Sequence, residues 1–158
     1  MPLNEQRFAS KKKEVGMEFS RKRPAGLPFA SLSEHGDLVY VSGNVSFVNG
    51  ELLLPGRVGD TLTVEEGAQS AMLSALNCLE AVNEQLGLDR IERVVRVTGY
   101  VACTADFTRQ AEVIHGASLV LNEIFAAQPA LPARTALGVY ALPLGASTEV
   151  EIILQRRQ

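Results

Sequence analysis

Three of the five charged side chains in the most strand-like stretch of the chain, residues 131–157, stand at the start of or inside its two apolar runs. Arg134 precedes the run TALGVYAL, which predicts a largely buried strand, and Glu149 and Glu151 stand inside a second apolar run. Because burying a guanidinium without a partner is costly, Arg134 should have a carboxylate within reach. That carboxylate would be Glu149 or Glu151 on the neighbouring strand, or it would belong to a small substrate that the guanidinium binds with two parallel hydrogen bonds.

The two glutamates differ in what they could do. Alternation along a strand puts Glu149 and Glu151 on one face and Val150 and Ile152 on the other. Since like charges two residues apart repel, at least one of them should face water or a cation. We expect Glu151 to be solvated at the strand edge, and Glu149, nearer the turn, to orient a water molecule or a substrate nitrogen.

The remaining residues with reactive side chains give weaker signals. The chain has two histidines: His35 falls in a predicted turn, where solvation is expected, and His115 falls within a predicted helix, as a satisfied or partly exposed side chain. Cys78 and Cys103 are far apart in apolar contexts and should be buried free thiols. No metal-binding, phosphate-binding or nucleophile motif occurs, so we expect neither a metal nor a cofactor.

Composition and charge limit the class of protein. The 158 residues are 46% hydrophobic and 21% charged, which is typical of one globular domain, and no apolar run could span a bilayer. The N-terminus lacks the apolar core of a signal peptide, so we expect a cytoplasmic location and no membrane partner. Residues 1–28 carry a net charge of +4 and the remaining 130 carry −7, and this acidic body argues against a nucleic-acid partner. In the basic segment, Asn4 should cap a short helix on the surface, with the clusters at 11–13 and 21–23 solvated.

The hydrophobic pattern predicts a strand from residue 37, a hairpin at Asn49-Gly50 and a helix opened by a Thr63/Glu66 capping box. It then predicts a strand of about ten residues within 90–103, a second helix over about 108–126, and two final strands joined at LPLGAS. The short final connection predicts that the last two strands pair antiparallel, and the helix between strands predicts a crossover. We therefore expect an α+β fold, one mixed sheet with two helices packed on one face. The other face needs a cover, which favours self-association.

Three motifs resemble one family: GDLVYVSGN at 36–44, LPART at 131–135 and ALPLGASTEVEIIL at 141–154. Together they resemble the RidA/YjgF family, also called endoribonuclease L-PSP, over the chain from about Leu27, in a longer-chain branch with an N-terminal extension. The resemblance implies an extension at 1–28 and a RidA-like domain at 29–158. It also implies a β-α-β-α-β-β core like that of the trimeric chorismate mutases, assembled as a homotrimer with a cleft at each subunit interface.

The resemblance also implies a chemistry, the cofactor-independent hydrolysis of reactive 2-imino acids to 2-keto acids and ammonia. By this likeness Arg134 would bind the substrate carboxylate, Glu149 would be the cleft glutamate and Gly43 would line the cleft. The substrate-binding set would also contain Phe29, Asn44, Thr135 and Ala136. Three of these depart from the family pattern, since Phe29 stands for a tyrosine, Asn44 for a glutamine and Thr135 for a serine. These departures favour an alternative, a non-catalytic homotrimer that binds a small carboxylate metabolite in the same cleft. A ribonuclease, the activity in the family's other name, is disfavoured by the acidic body and the lack of a histidine pair.

Overall fold

The computed structural model describes residues 3–158, which form three helices and seven strands. The helices are α1 (Asn4–Glu14), α2 (Val64–Gln85) and α3 (Gln110–Ile124). The strands are β1 (Leu32–His35), β2 (Leu38–Asn44), β3 (Phe47–Val48), β4 (Glu51–Leu52), β5 (Ile91–Ala102), β6 (Ala133–Val139) and β7 (Thr148–Arg156), and short 3-10 turns cover Leu88–Arg90 and Pro143–Gly145.

Five strands form one mixed sheet in the order β1-β2-β7-β5-β6. β5 and β6 are parallel and every other neighbouring pair is antiparallel. The α2 and α3 helices pack on one face, where they bury the inward residues of β5 and β7, so the predicted α+β class is confirmed. The hairpin at Asn49-Gly50 is also confirmed: β3 and β4 pair there, and both turn residues have positive φ.

The predicted pairing of the last two strands is wrong. β6 and β7 do not touch as neighbours, because β5 lies between them. The α3 crossover returns the chain parallel to β5 on its outer side, and β7 then runs back through the gap between β2 and β5. As a result β7 is a central strand and β6 is an edge strand. The expectation that β6 would be largely buried is therefore also wrong, since none of its residues is buried.

The α2 helix begins as the sequence predicted. The Glu66 backbone N–H donates to Thr63 Oγ1 at 3.2 Å, and the Thr63 backbone N–H donates to Glu66 Oε2 at 2.8 Å, which completes the capping box. Further along, α2 and α3 approach so closely that a Cβ at Gly116 would collide with the Ala68 carbonyl. This close contact sets the position of α3 on the sheet, and therefore the position of the side chains that α3 presents to β6.

The α1 helix is docked on the body, which corrects two expectations. Asn4 is not a cap: its Nδ2 donates to the carbonyls of Leu88 at 3.0 Å and Ile91 at 3.1 Å, and Phe8 is only 2% exposed in the main core. The first basic cluster is not fully solvated, because Lys12 Nζ lies 2.7 Å from a Glu80 carboxylate oxygen.

β1 was not predicted; residues 32–35 pair with β2 across the turn at Gly36 and Asp37.

Within the described part of the chain, no helix has the length and apolar character needed to cross a membrane.

Candidate functional site

The sheet face that α2 and α3 leave uncovered, the open face, carries a group of polar side chains. Glu149 and Glu151 lie on it, half-buried, while Val150 and Ile152 are buried on the helix side. The predicted division of β7 into two faces is confirmed. The open face also exposes large apolar groups such as Tyr40 on β2 and Leu137 on β6.

Glu149 lies over the backbone of Gly43 at the end of β2. Gly43 belongs to an irregularity in the β2–β7 pairing, between Val41 and Asn44, and a Cβ at this position would collide with the Glu149 carboxylate. Burial, followed by the charge of Glu151, raises the pKa of Glu149 above its usual value. The carboxyl group is therefore poised closer to neutral pH than an exposed glutamate would be.

Glu151 has a partner that the sequence analysis missed. The hydroxyl of Tyr100 donates a hydrogen bond to Glu151 Oε1 at 2.8 Å, and this bond is the main cause that raises the pKa of Tyr100. The expectation that Glu151 would simply be solvated is therefore wrong. The signal was present in β5, since alternation places Arg96, Thr98 and Tyr100 on the same face, and Arg96 donates to Thr135 Oγ1 at 2.7 Å.

Arg134 points to the other side of the sheet, where α3 packs. Its Nη1 atom lies 2.9 Å from His115 Nδ1 and 3.1 Å from Ser118 Oγ. Among residues 3–158 no carboxylate comes within 4.0 Å of its guanidinium, so the predicted ion pair with Glu149 or Glu151 is wrong. The cause is the strand order, since the ion pair assumed that β6 and β7 are neighbours.

The other predicted site residues fall into two groups. Phe29, Gly43 and Asn44 line one cavity of about 150 Å³, between residues 20–31, β2 and α2. Phe29 is 55% exposed, and the Arg23 guanidinium lies over its ring, with Arg23 Cζ 4.7 Å from the ring centroid. Thr135 and Ala136 follow Arg134 on β6, three strands away from β2. One chain therefore brings Glu149 to Gly43, which lines a cavity with Phe29 and Asn44, and keeps Arg134, Thr135 and Ala136 apart from them.

The buried thiol of Cys78 contacts Asn44, one of the residues that line this cavity. Asn44 Nδ2 donates to the Ser42 carbonyl at 2.9 Å and contacts Cys78 Sγ at 3.7 Å. Burial raises the pKa of Cys78 to about 12, so its thiol stays protonated and donates to the Val150 carbonyl. Both cysteines are free and buried, as predicted. Among residues 3–158, no cluster of three or more His, Cys, Asp or Glu side chains could hold a metal ion.

Comparison with known proteins places the chain in a family. A family model described as Endoribonuclease L-PSP matches residues 20–155. The chain belongs to this family. The resemblance to RidA/YjgF proteins is thereby confirmed.

Three proteins illustrate the likeness. Protein TCP17 of Trypanosoma cruzi is 31% identical to this L-PSP family chain over 150 residues, 94% of either protein. The crystal structure of Atu1372 from Agrobacterium tumefaciens, a protein of unknown function, is 31% identical, covers 98% of this chain and 95% of its own, and has a TM-score of 0.85. Escherichia coli TdcF, solved with bound serine, has the same fold at 21% identity, with a TM-score of 0.57 over 87% of this chain and 98% of its own.

Proposed function

We propose that this chain hydrolyses 2-imino acids to 2-keto acids and ammonium in a cleft between copies of itself. The observation that carries the proposal is the Arg134 guanidinium, a permanent positive charge held only by neutral acceptors, with no carboxylate nearby among the described residues. A substrate carboxylate would supply the missing negative charge. Membership of the L-PSP family supports this proposal, as does the serine bound to TdcF, a small amino acid in a protein of the same fold.

The reaction needs two groups, one to bind the carboxylate and one to handle protons. A water oxygen adds to C2 of the protonated imine as one water proton passes to Glu149, and Glu149 then returns that proton to the nitrogen of the carbinolamine. The C2–N bond breaks to release ammonia, and the proton of the C2 hydroxyl, lost as the keto group forms, converts the ammonia to ammonium. Burial raises the pKa of Glu149, which makes its carboxylate a stronger base toward the water proton than an exposed glutamate. Since an imine already hydrolyses in water, orientation beside a positioned water supplies much of the acceleration. The balance is one protonated imine and one water in, one keto acid and one ammonium out, with no redox step.

The site requires a second copy of the chain. Arg134 lies opposite Val97 on β5, whereas Glu149 lies opposite Tyr100, three residues further along that strand. The two strands are two ladder spacings apart, roughly 10 Å, and the side chains leave opposite faces of the sheet. One small ligand cannot touch both groups in one chain. A homotrimer, in which β6 of one copy meets the Gly43–Glu149 pair of another, would join them and cover the exposed apolar groups of the open face.

The activity is tested by generating 2-imino acids with an amino-acid oxidase and trapping the unhydrolysed fraction with semicarbazide. Wild type should lower the trapped signal, and Arg134→Ala should lose this effect. Arg134→Lys should recover it only in part, because an ammonium cannot form the two parallel hydrogen bonds. Arg90→Ala, which removes an exposed arginine away from the site, is the matched control and should behave as wild type. No suppression by wild type would contradict the proposal, and carboxylate binding without turnover would favour the non-catalytic alternative.

The assembly is tested separately by sedimentation. A trimer at micromolar concentration is the expected result. A stable monomer that still hydrolyses imines would contradict the proposed cleft, since Arg134 and Glu149 could not then act on the same substrate.

A further inference from the structure

The guanidinium of Arg134 is held at one of its three nitrogens. Both hydrogens of Nη1 have acceptors on α3, His115 Nδ1 at 2.9 Å and Ser118 Oγ at 3.1 Å. The two acceptors are three residues apart and therefore neighbours on the helix surface. Because arginine only donates, His115 Nδ1 must accept, which fixes a neutral imidazole with its proton on Nε2.

The opposite edge of the same guanidinium is open. The hydrogens of Nε and Nη2 have no acceptor among residues 3–158, and neither atom is among the buried unpaired ones, unlike Nε of Arg93 and Arg156. This edge presents two parallel N–H groups in the spacing of a carboxylate. The position of His115 and Ser118 thus decides which side of Arg134 a ligand can approach.

No carboxylate on α3 competes for this charge. Glu112, one turn before His115, is bound by Arg109, whose Nε donates to Glu112 Oε1 at 2.9 Å. The residues that hold Arg134 from α3 are therefore neutral acceptors, and no carboxylate of residues 3–158 forms an ion pair with its guanidinium. A carboxylate at position 115 would instead form an ion pair with the guanidinium and neutralise it.

We propose that His115 and Ser118 are positioning residues, which as neutral acceptors hold Nη1 of Arg134 and present its open Nε/Nη2 edge to the carboxylate of the ligand. The inference rests on the proposed function and adds two residues that the motifs did not mark. It makes the identity of residue 115 matter through its charge and acceptor capacity, and not through its packing, since His115 is exposed.

Two substitutions at one exposed position separate these properties. His115→Gln keeps a neutral acceptor, whereas His115→Glu supplies a competing carboxylate of similar size. We expect His115→Glu to raise KM for the imino acid about tenfold or more with kcat changed less than about threefold, because ground-state and transition-state binding of the carboxylate are lost together. His115→Gln should stay within about threefold of wild type in both constants, and Ser118→Ala should raise KM by a smaller factor. Equal KM values for the Gln and Glu variants, at matched melting temperatures, would overturn the inference while leaving the deaminase activity intact.

A second measurement keeps the inference testable if wild type shows no hydrolysis, which would end the proposed function. Pyruvate, a 2-keto acid without an imine, is titrated into wild type and both variants by calorimetry. Binding to wild type and His115→Gln, weakened about tenfold or more in His115→Glu, supports the positioning role without any turnover. No binding to wild type, or equal affinity in all three proteins, overturns it.

Discussion

Arg134 and Glu149 point to opposite faces of one sheet and are offset by three residues along the strand that separates them. This relationship decides how the two functional candidates can cooperate. Glu149 belongs to the Gly43 end of the open face, and Arg134 belongs to the edge strand beside α3. The two groups that the proposed mechanism uses therefore lie on separate surfaces of the subunit, and that mechanism requires an assembly that joins these surfaces.

Gly43→Ala should abolish most of the imine hydrolysis and leave the fold intact. A Cβ at Gly43 would meet the end of the Glu149 side chain, which is flexible and can move away at little cost in stability. The carboxylate would then leave the position from which, in the proposed mechanism, it accepts the water proton. The assay is kcat/KM in the oxidase–semicarbazide system beside the melting temperature. Unchanged activity in Gly43→Ala would show that the placement of Glu149 does not matter.

The matched control is the double variant Gly43→Ala/Glu149→Ala. With the carboxylate removed, the new methyl group has nothing to displace, so the double variant should be no less active than Glu149→Ala alone. This non-additivity is the signature of two residues in contact. Additive losses would assign the effect of Gly43→Ala to the backbone.

Glu149→Gln should stabilise the protein at neutral pH and lose this advantage in acid. The native pKa of Glu149 lies above its usual value of 4.5, so the native state binds this proton more strongly than the unfolded chain does. The contribution of Glu149 to the free energy of unfolding of wild type is thus most favourable below pH 4.5 and decreases as the pH rises through the native pKa. The Glu149→Gln variant carries a neutral amide and does not lose stability in this way. Melting temperatures between pH 4 and 8 test this, with Glu84→Gln, an exposed glutamate of α2, as the control for the exchange itself. A stability difference that does not change with pH would contradict the raised pKa.

The parts of the fold that depend on local sequence could be predicted. The capping box of Thr63 and Glu66 and the Asn49-Gly50 turn are each closed within a few residues, so the sequence contains all of their partners. The faces of β7 follow from alternation alone. For the same reason the open-face residues of β5, Arg96 and Tyr100 among them, could have been found from the pattern.

The strand order could not be read in the same way. A short connection between β6 and β7 suggests a hairpin, but the choice of neighbour depends on which gap the α3 crossover leaves free, and that is a property of the whole sheet. The wrong strand order also led to the wrong partners for Arg134. Because β6 and β7 are not neighbours, Arg134 contacts His115 and Ser118 on α3. No rule of sequence spacing links residue 134 to residue 115, because a loop separates their elements. The prediction that Asn4 caps a helix is wrong for the same reason, since the carbonyls that accept from its side chain lie more than eighty residues away in the sequence.

Phe8→Ala should destabilise the protein by about 3–5 kcal/mol, the range for removing a fully buried aromatic side chain. The α1 helix contributes Phe8 to the main core, so Asn4–Glu14 is part of the folded body and not a detachable arm. Phe19→Ala is the matched control, because Phe19 is 41% exposed and its loss should cost much less. Urea unfolding at pH 7 measures both, and equal midpoints for the two variants would mean that α1 contributes no more to stability than the exposed segment after it.

Cys78 should resist alkylation in the native protein and react once the chain unfolds. Its thiol is fully buried and its pKa is about 12, so at pH 8 almost none of it is the reactive thiolate, and the hydrogen bond to the Val150 carbonyl further holds the proton. Cys103, which is 9% exposed and lines a separate cavity of about 360 Å³ with Arg57 and Tyr140, offers iodoacetamide a partly open path. Peptide mass mapping of a time course should find Cys103 modified first, and Cys78 modified only in urea or at the rate of global opening. Comparable rates for the two cysteines in native buffer would show that the packing of α2 against β2 and β7 around Cys78 opens locally. The contact between Asn44 and Cys78 would then not hold the end of β2 in a fixed position.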